Sequence, residues 1–163
     1  FAVGKTSLID RFVHNKFEEK YLTTIGVKIS QKILPPVQDP NRRQTVQHTF
    51  LIWDIAALEK FDHVTLNYFR GSAGGLAVAD LTRRETIEDL HAFCDRFLSV
   101  NPRSSLVILG NKSDIFQHDK QTRSELEQTA THYATKYIVT SAKTGGGVEK
   151  AFLKLSQEIG SNK

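Results

Sequence analysis

At 163 residues, 39% hydrophobic and 25% charged, the chain is long enough to bury the core of one globular domain. Its 22 Lys and Arg against 18 Asp and Glu leave a mild net charge of +4. Arg42-Arg43 and Arg83-Arg84 read as separate solvated pairs, which argues against a nucleic-acid partner. The single Cys94 excludes a disulfide framework and makes a reducing, cytoplasmic setting the expectation, and no run has transmembrane length or the form of a signal peptide.

The chain opens Phe1-Ala2-Val3-Gly4-Lys5-Thr6-Ser7, the back half of a phosphate-binding loop, Gly-Lys-[Ser/Thr] at the start of a helix. In such a turn the N–H groups of Gly4, Lys5 and Thr6 point at phosphate oxygens, where the helix dipole favours negative charge. Lys5 adds a point charge for the β- and γ-phosphates, and the Thr6 hydroxyl is a hard oxygen suited to magnesium. By itself the tripeptide also fits an ordinary basic helix start. The helix is expected over 6–14, with Leu8, Ile9, Phe12 and Val13 on its inner face.

Strands are expected over 27–34 and 45–53, with Val46, His48, Phe50 and Ile52 on one face of a half-buried pair. His48 in that stripe reads as a sheet-surface or edge residue rather than a catalyst. The run Pro35-Pro36-Val37-Gln38-Asp39-Pro40-Asn41-Arg42-Arg43 is too proline-rich to continue either ladder and is read as an inserted loop. Leu51-Ile52-Trp53-Asp54 ends its strand in an aspartate, as a carboxylate that supports a metal should.

Leu76-Ala77-Val78-Ala79 is a buried strand, and a helix from about Arg84 carries Ile87, Leu90, Phe93 and Phe97 on one side. Leu106-Val107-Ile108-Leu109-Gly110 is another buried strand, running into Asn111-Lys112-Ser113-Asp114. A carboxylate at the carboxyl edge of an open α/β sheet can accept from a ring N–H and an exocyclic amine together. Guanine offers that pair, and adenine lacks the ring N–H. A polar turn is the plain alternative for the motif taken alone.

Ser124 and Glu127 have capping-box spacing for the next helix. Tyr137-Ile138-Val139-Thr140 is a short strand followed by Ser141-Ala142-Lys143, whose loop backbone could donate an N–H to a base carbonyl. The last helix has Val148, Phe152, Leu155 and Ile159 as its core stripe. Four strand-end signals in the order phosphate, metal, base, base are far more specific than any one of them.

On these motifs the chain resembles a small GTPase of the Ras superfamily, most closely the Rab family, over nearly its whole length. The most Rab-like pieces are Thr23-Thr24-Ile25-Gly26-Val27, Glu59-Lys60-Phe61, Asn67-Tyr68-Phe69-Arg70-Gly71-Ser72 and Ala79-Asp80-Leu81-Thr82. The resemblance implies an α/β, Ras-like P-loop NTPase fold: a mostly parallel six-stranded sheet flanked by helices. It implies one domain over 1–163, lacking its N-terminal strand and any lipidated C-terminal tail. The absent strand belongs in the middle of the sheet, so the chain is read as a trimmed segment.

The resemblance also implies the site. Val3, Gly4, Lys5, Thr6 and Ser7 would cradle the phosphates of GTP or GDP. Thr6 and Thr24 would bind Mg2+, and Asp54 would hold it through a water. Phe17 would pack edgewise on the guanine, with an ordinary core Phe as the alternative, and Tyr21 could close over the phosphates. Asn111 would brace the loops, Lys112 would lie along the base and Asp114 would read its edge. Ala142 would give its N–H to the guanine oxygen, in a loop shaped by Ser141 and Lys143.

Two departures stand out. The family's Asp-x-Ala-Gly-Gln reads Asp54-Ile55-Ala56-Ala57-Leu58 here. Leu58 has neither donor nor acceptor to orient the attacking water, so hydrolysis is expected to be impaired, with Lys5 and Thr24 left as the catalytic residues. Ala57 retains an N–H for the γ-phosphate, but its Cβ is costly if the loop needs φ > 0. Lys28 stands where the resemblance implies an acidic residue as usual, a reversed charge that effectors and exchange factors would meet. The resulting expectation is a guanine-nucleotide switch in vesicle trafficking with effector, exchange-factor and GTPase-activating partners, or a catalytically silent pseudo-GTPase. The chain ends Gly160-Ser161-Asn162-Lys163 without a nearby cysteine, so membrane attachment at a cytosolic face is expected only if a lipidated tail is missing.

Overall fold

The structure is a computed structural model that describes residues 2–17, 26–39, 44–55 and 63–161. Helix α1 (Lys5–His14) is followed by strands β1 (Val27–Ile33), β2 (Val37–Asp39), β3 (Gln44–Val46) and β4 (Thr49–Ile55). Then come α2 (His63–Phe69), β5 (Gly74–Asp80), α3 (Glu85–Val100), β6 (Ser105–Asn111), α4 (Lys120–His132), β7 (Tyr137–Val139) and α5 (Val148–Ser161).

The α/β class expected from the alternating pattern is present. Strands β5, β6 and β7 form a parallel sheet with β6 in the middle, and Asp80 lies opposite Asn111. Every residue of β6 is buried, as a parallel strand covered on both faces requires. Its side chains alternate between two cores. Leu106 and Ile108 join Phe69, Ile87, Leu90 and Phe97 on one face of the sheet. Val107 and Leu109 join Leu8, Ile9, Phe12, Val148, Phe152 and Leu155 on the other. Phe12 stacks on Phe152 at 3.8 Å, and Phe50 meets both rings edge-on, which fastens β4 to α1 and α5.

Strands β1 and β4 form an antiparallel pair with Val27 opposite Ile55 and Ile33 opposite Thr49. Among the described residues no ladder joins β4 to β5. Between them lies a groove of ≈ 320 Å³ lined by Phe50, Ile52, Phe69, Phe97, Phe152 and Leu155. The β1–β4 pair and the β5–β7 sheet are thus separate ladders among the described residues.

Two local expectations are corrected. The proline-rich segment is not simply a loop, because β2 pairs with β3 with Val37 opposite Val46. The exposed Pro35-Pro36 ends the first ladder, and a second, short ribbon starts immediately beyond it. The capping box at Ser124 and Glu127 is not used, since both lie inside α4. Asp119 caps that helix instead, its Oδ2 accepting from Thr122 N–H at 2.8 Å and from the Thr122 hydroxyl at 2.7 Å. His48 shares a 2.7 Å hydrogen bond with Ser156 Oγ on α5, a packing role at the sheet surface. Cys94 is buried in α3, and burial together with Asp95 pushes its thiol up to about 12, so it is inert at neutral pH.

Candidate functional site

Strands β5 and β6 end in Asp80 and Asn111, Asp54 is the last residue but one of β4, and the N-terminus of α1 meets Asp54 and Asn111 through Thr6 and Val3. Open α/β sheets bind ligands at this edge. Asn111 is 1% exposed and joins the two halves of the site. Its Nδ2 donates to Val3 O at 2.9 Å, while its Oδ1 accepts from Ala142 N–H and from the Thr140 hydroxyl, each at 3.2 Å. The loop before α1 and the loop after β7 are thus fastened to one buried amide.

Gly4 is the residue that permits this approach. It has φ 94, and a Cβ built on it would lie 2.4 Å from Asn111 Nδ2. Only glycine takes that backbone conformation without strain and leaves the amide its place. One residue on, Lys5 is half-buried. Burial lowers its pKa from the ordinary 10.5, an effect that the negative charge of Asp54 partly offsets. A desolvated ammonium beside a helix N-terminus gains more from an arriving anion than one in water does.

The Thr6 hydroxyl donates to Asp54 Oδ2 at 2.6 Å, and Asp54 is 2% exposed. A hydroxyl and a carboxylate meeting beside the phosphate-type turn form a hard-oxygen donor set, which fits Mg2+ rather than a softer metal. Val3 is buried and Ser7 half-buried in the same turn.

At the other end, exposed Asp114 accepts from the Ser141 hydroxyl at 2.6 Å through Oδ1. Ser141 is 1% exposed and also accepts from Thr144 N–H at 3.1 Å, so it shapes the loop and orients the carboxylate at once. The backbone follows: Ser113 N–H donates to Thr140 O at 3.1 Å, and Ser141 N–H donates to Gly146 O at 2.9 Å. Lys143 is exposed. Lys112 takes a left-handed backbone at φ 65 and places Nζ 2.6 Å from Asp80 Oδ2. Phe17 is half-buried against the core that contains Leu8 and Phe12.

The arrangement brings together Val3, Gly4, Lys5, Thr6, Ser7 and Asp54 on one side and Asn111, Lys112, Asp114, Ser141, Ala142 and Lys143 on the other. Tyr21, Thr24, Ala57 and Leu58 lie outside the described residues. Asp80 was not singled out from the sequence. It is fully buried and accepts from Thr82 N–H at 3.0 Å, the Thr82 hydroxyl at 2.7 Å, Arg83 Nε at 3.0 Å and Lys112. Burial pushes its carboxyl up, but the bonds from Lys112, Thr82 and Arg83 outweigh this and hold it below the ordinary 3.8. The only signal in the sequence was an aspartate directly after the apolar run Leu76-Ala77-Val78-Ala79.

The Ras family model matches residues 1–161. The chain belongs to the Ras family. It is 35% identical over 159 residues to Ras-related protein Rab-4 of Dictyostelium discoideum, spanning 97% of this chain and 74% of that protein. It is 36% identical, again over 159 residues, to Ras-related protein Rab-4B of Homo sapiens and of Rattus norvegicus, covering 97% of this chain and 71% of each. It is thus a small GTPase of the Ras superfamily, related to Rab, in a family that binds guanine nucleotide and Mg2+. No helix among the described residues is long and apolar enough to cross a membrane.

Proposed function

We propose that this single domain is a Rab-type molecular switch that binds GTP and GDP with Mg2+ and hydrolyses GTP poorly. The observation that carries the reading is the Asn111 brace, which fastens a phosphate-type helix start to a carboxylate-and-amide base edge in one pocket.

The N–H groups at the start of α1 and the ammonium of Lys5 would take the phosphates. Thr6, Asp54 and Thr24 would hold the ion, which when bound supplies positive charge beside the phosphate oxygens. Asp114 would accept from the ring N–H and exocyclic amine of guanine, and Ala142 would turn its N–H from Asn111 to the base oxygen. Lys112 would lie along the base with its ammonium on Asp80. Phe17 and Tyr21 would close the pocket from its rim.

Switching follows from contacts that only the γ-phosphate makes. Thr24 and the Ala57 N–H would hold the two loops in the GTP state, and loss of the phosphate releases them. Partners would then read the ordered loops together with the β1–β4 face, which exposes Ile29, Ile33, Leu51 and Trp53. Trp53 packs at 6.3 Å from Tyr68 of α2 at the edge of that face. Lys28 pairs with Asp10 of α1 at 3.1 Å, so the charge that departs from relatives is answered within the chain. Transport of vesicles along the cytosolic face of a membrane is the cellular role the Rab kinship favours, with effectors, exchange factors and GTPase-activating proteins as partners.

A second reading, a pseudo-GTPase that keeps GTP as a structural ligand, is favoured by Ala57-Leu58. Limited trypsin digestion tests the switch itself. With Mg2+ and a non-hydrolysable GTP analogue, cleavage after Lys20 and Lys60 is expected to slow several-fold relative to the GDP form. Identical digestion in the two forms contradicts switching and favours the structural-ligand reading.

A further inference from the structure

Helix α1 lies beneath the phosphate end of the pocket, and the loop after β7 lies at the base end. One side chain spans the two. Arg11 donates from Nε to Ala142 O at 2.8 Å and from Nη2 to Lys143 O at 2.6 Å. Its Nη1 reaches the backbone oxygen and Oδ1 of Asn15, each at 3.3 Å, where Asn15 closes the helix in a left-handed conformation. The guanidinium is therefore tethered at its own helix end while it grips two consecutive carbonyls of the loop after β7.

A planar fork that holds two successive carbonyls fixes the orientation of two successive peptide planes. Ala142 N–H is meanwhile held by Asn111 Oδ1 from the sheet side. The loop is thus clamped from β6 on one side and from α1 on the other. A loop anchored in this way loses little backbone entropy when its ligand arrives, even as the Ala142 N–H turns from Asn111 to the base.

We propose that Arg11 is a positioning residue for base recognition: by holding the Ala142 and Lys143 carbonyls it anchors, immediately after Ala142, the loop whose Ala142 N–H is offered to the exocyclic oxygen of a guanine base. Base discrimination then depends on helix α1, the element that also carries the phosphate turn. This rests on the guanine-nucleotide reading above.

The test compares GDP with 6-thioguanosine 5′-diphosphate, which keeps the ring N–H and the amine but presents a weakly accepting sulfur. Arg11→Ala is expected to weaken GDP by about tenfold, the size of one misaligned hydrogen bond, and the thio analogue by about twofold or less. Arg11→Lys, which reaches one carbonyl at a time, should fall between Arg11→Ala and the parent for GDP. Equal weakening of both nucleotides, or no weakening of GDP, overturns the Arg11 role while leaving guanine binding intact. A parent protein that binds neither nucleotide overturns the guanine reading itself. Should Arg11→Ala lose its folded melting transition, Arg11→Lys alone decides, by whether its loss is larger for GDP than for the thio analogue.

Discussion

Asp114→Ala is expected to lower the affinity for GDP by about 10³-fold or more, measured by displacement of a fluorescent guanine nucleotide. Hydrogen bonds to a charged group contribute about 1.5–3 kcal/mol each, and the carboxylate would accept two from guanine. Sites built around such bonds reject ligands that cannot complete them by roughly 10⁴–10⁵-fold. Asp114 is also oriented before any ligand arrives, because Ser141 donates to its Oδ1 at 2.6 Å. Asp114→Asn provides the complementary outcome. Its amide N–H2 suits the carbonyl that xanthine carries in place of the guanine amine, so preference should move toward xanthosine diphosphate. If GDP binds both variants as tightly as the parent, Asp114 does not read the base.

Leu58→Gln is expected to raise single-turnover GTP hydrolysis by about 10²-fold, the scale on which misplacing a reactant slows a reaction. Phosphoryl transfer leaves the protein little covalent chemistry, so positioning and charge carry the rate. An apolar side chain can neither donate to nor accept from the attacking water. The same variant should recover stimulation by an arginine finger, worth roughly 10³–10⁵-fold in an intact system. Pairing it with Ala57→Gly tests whether the Cβ at 57 also hinders the loop, in which case the double variant is faster than Leu58→Gln alone. Unchanged hydrolysis in Leu58→Gln contradicts the view that this position limits the rate.

Much of this architecture was legible in the residues, for identifiable reasons. The inner face of α1 follows from a 3.6-residue period, with Leu8, Ile9 and Phe12 buried and Val13 half-buried at its edge. The β6 strand follows from an unbroken apolar run, which only a strand covered on both faces requires. The motif at its end put Asn111 at the carboxyl edge of the sheet, where its amide donates to Val3 O and accepts from Ala142 N–H.

What was not legible depends on partners distant in sequence. Arg11 is 131 residues from Ala142, and nothing in a helical period says which arginine reaches the carbonyls of another element. Asp80 acquires its meaning only from the parallel register that sets it opposite Asn111. The start of α4 was misplaced because Ser-x-x-Glu also occurs inside helices, whereas Asp119 already satisfies the first turn. The β2–β3 ribbon was hidden by Pro35-Pro36, which follow the end of one ladder at Ile33 yet leave the next residues free to pair.

The central claim is that one pocket grips a guanine base and its phosphates together. Isothermal calorimetry of the chain with GDP in Mg2+, set beside ADP under the same conditions, tests it most directly. A saturable one-to-one heat with GDP, weakened by chelating the Mg2+ and absent with ADP, is the predicted result. No heat with GDP, or equal heats with GDP and ADP, contradicts it.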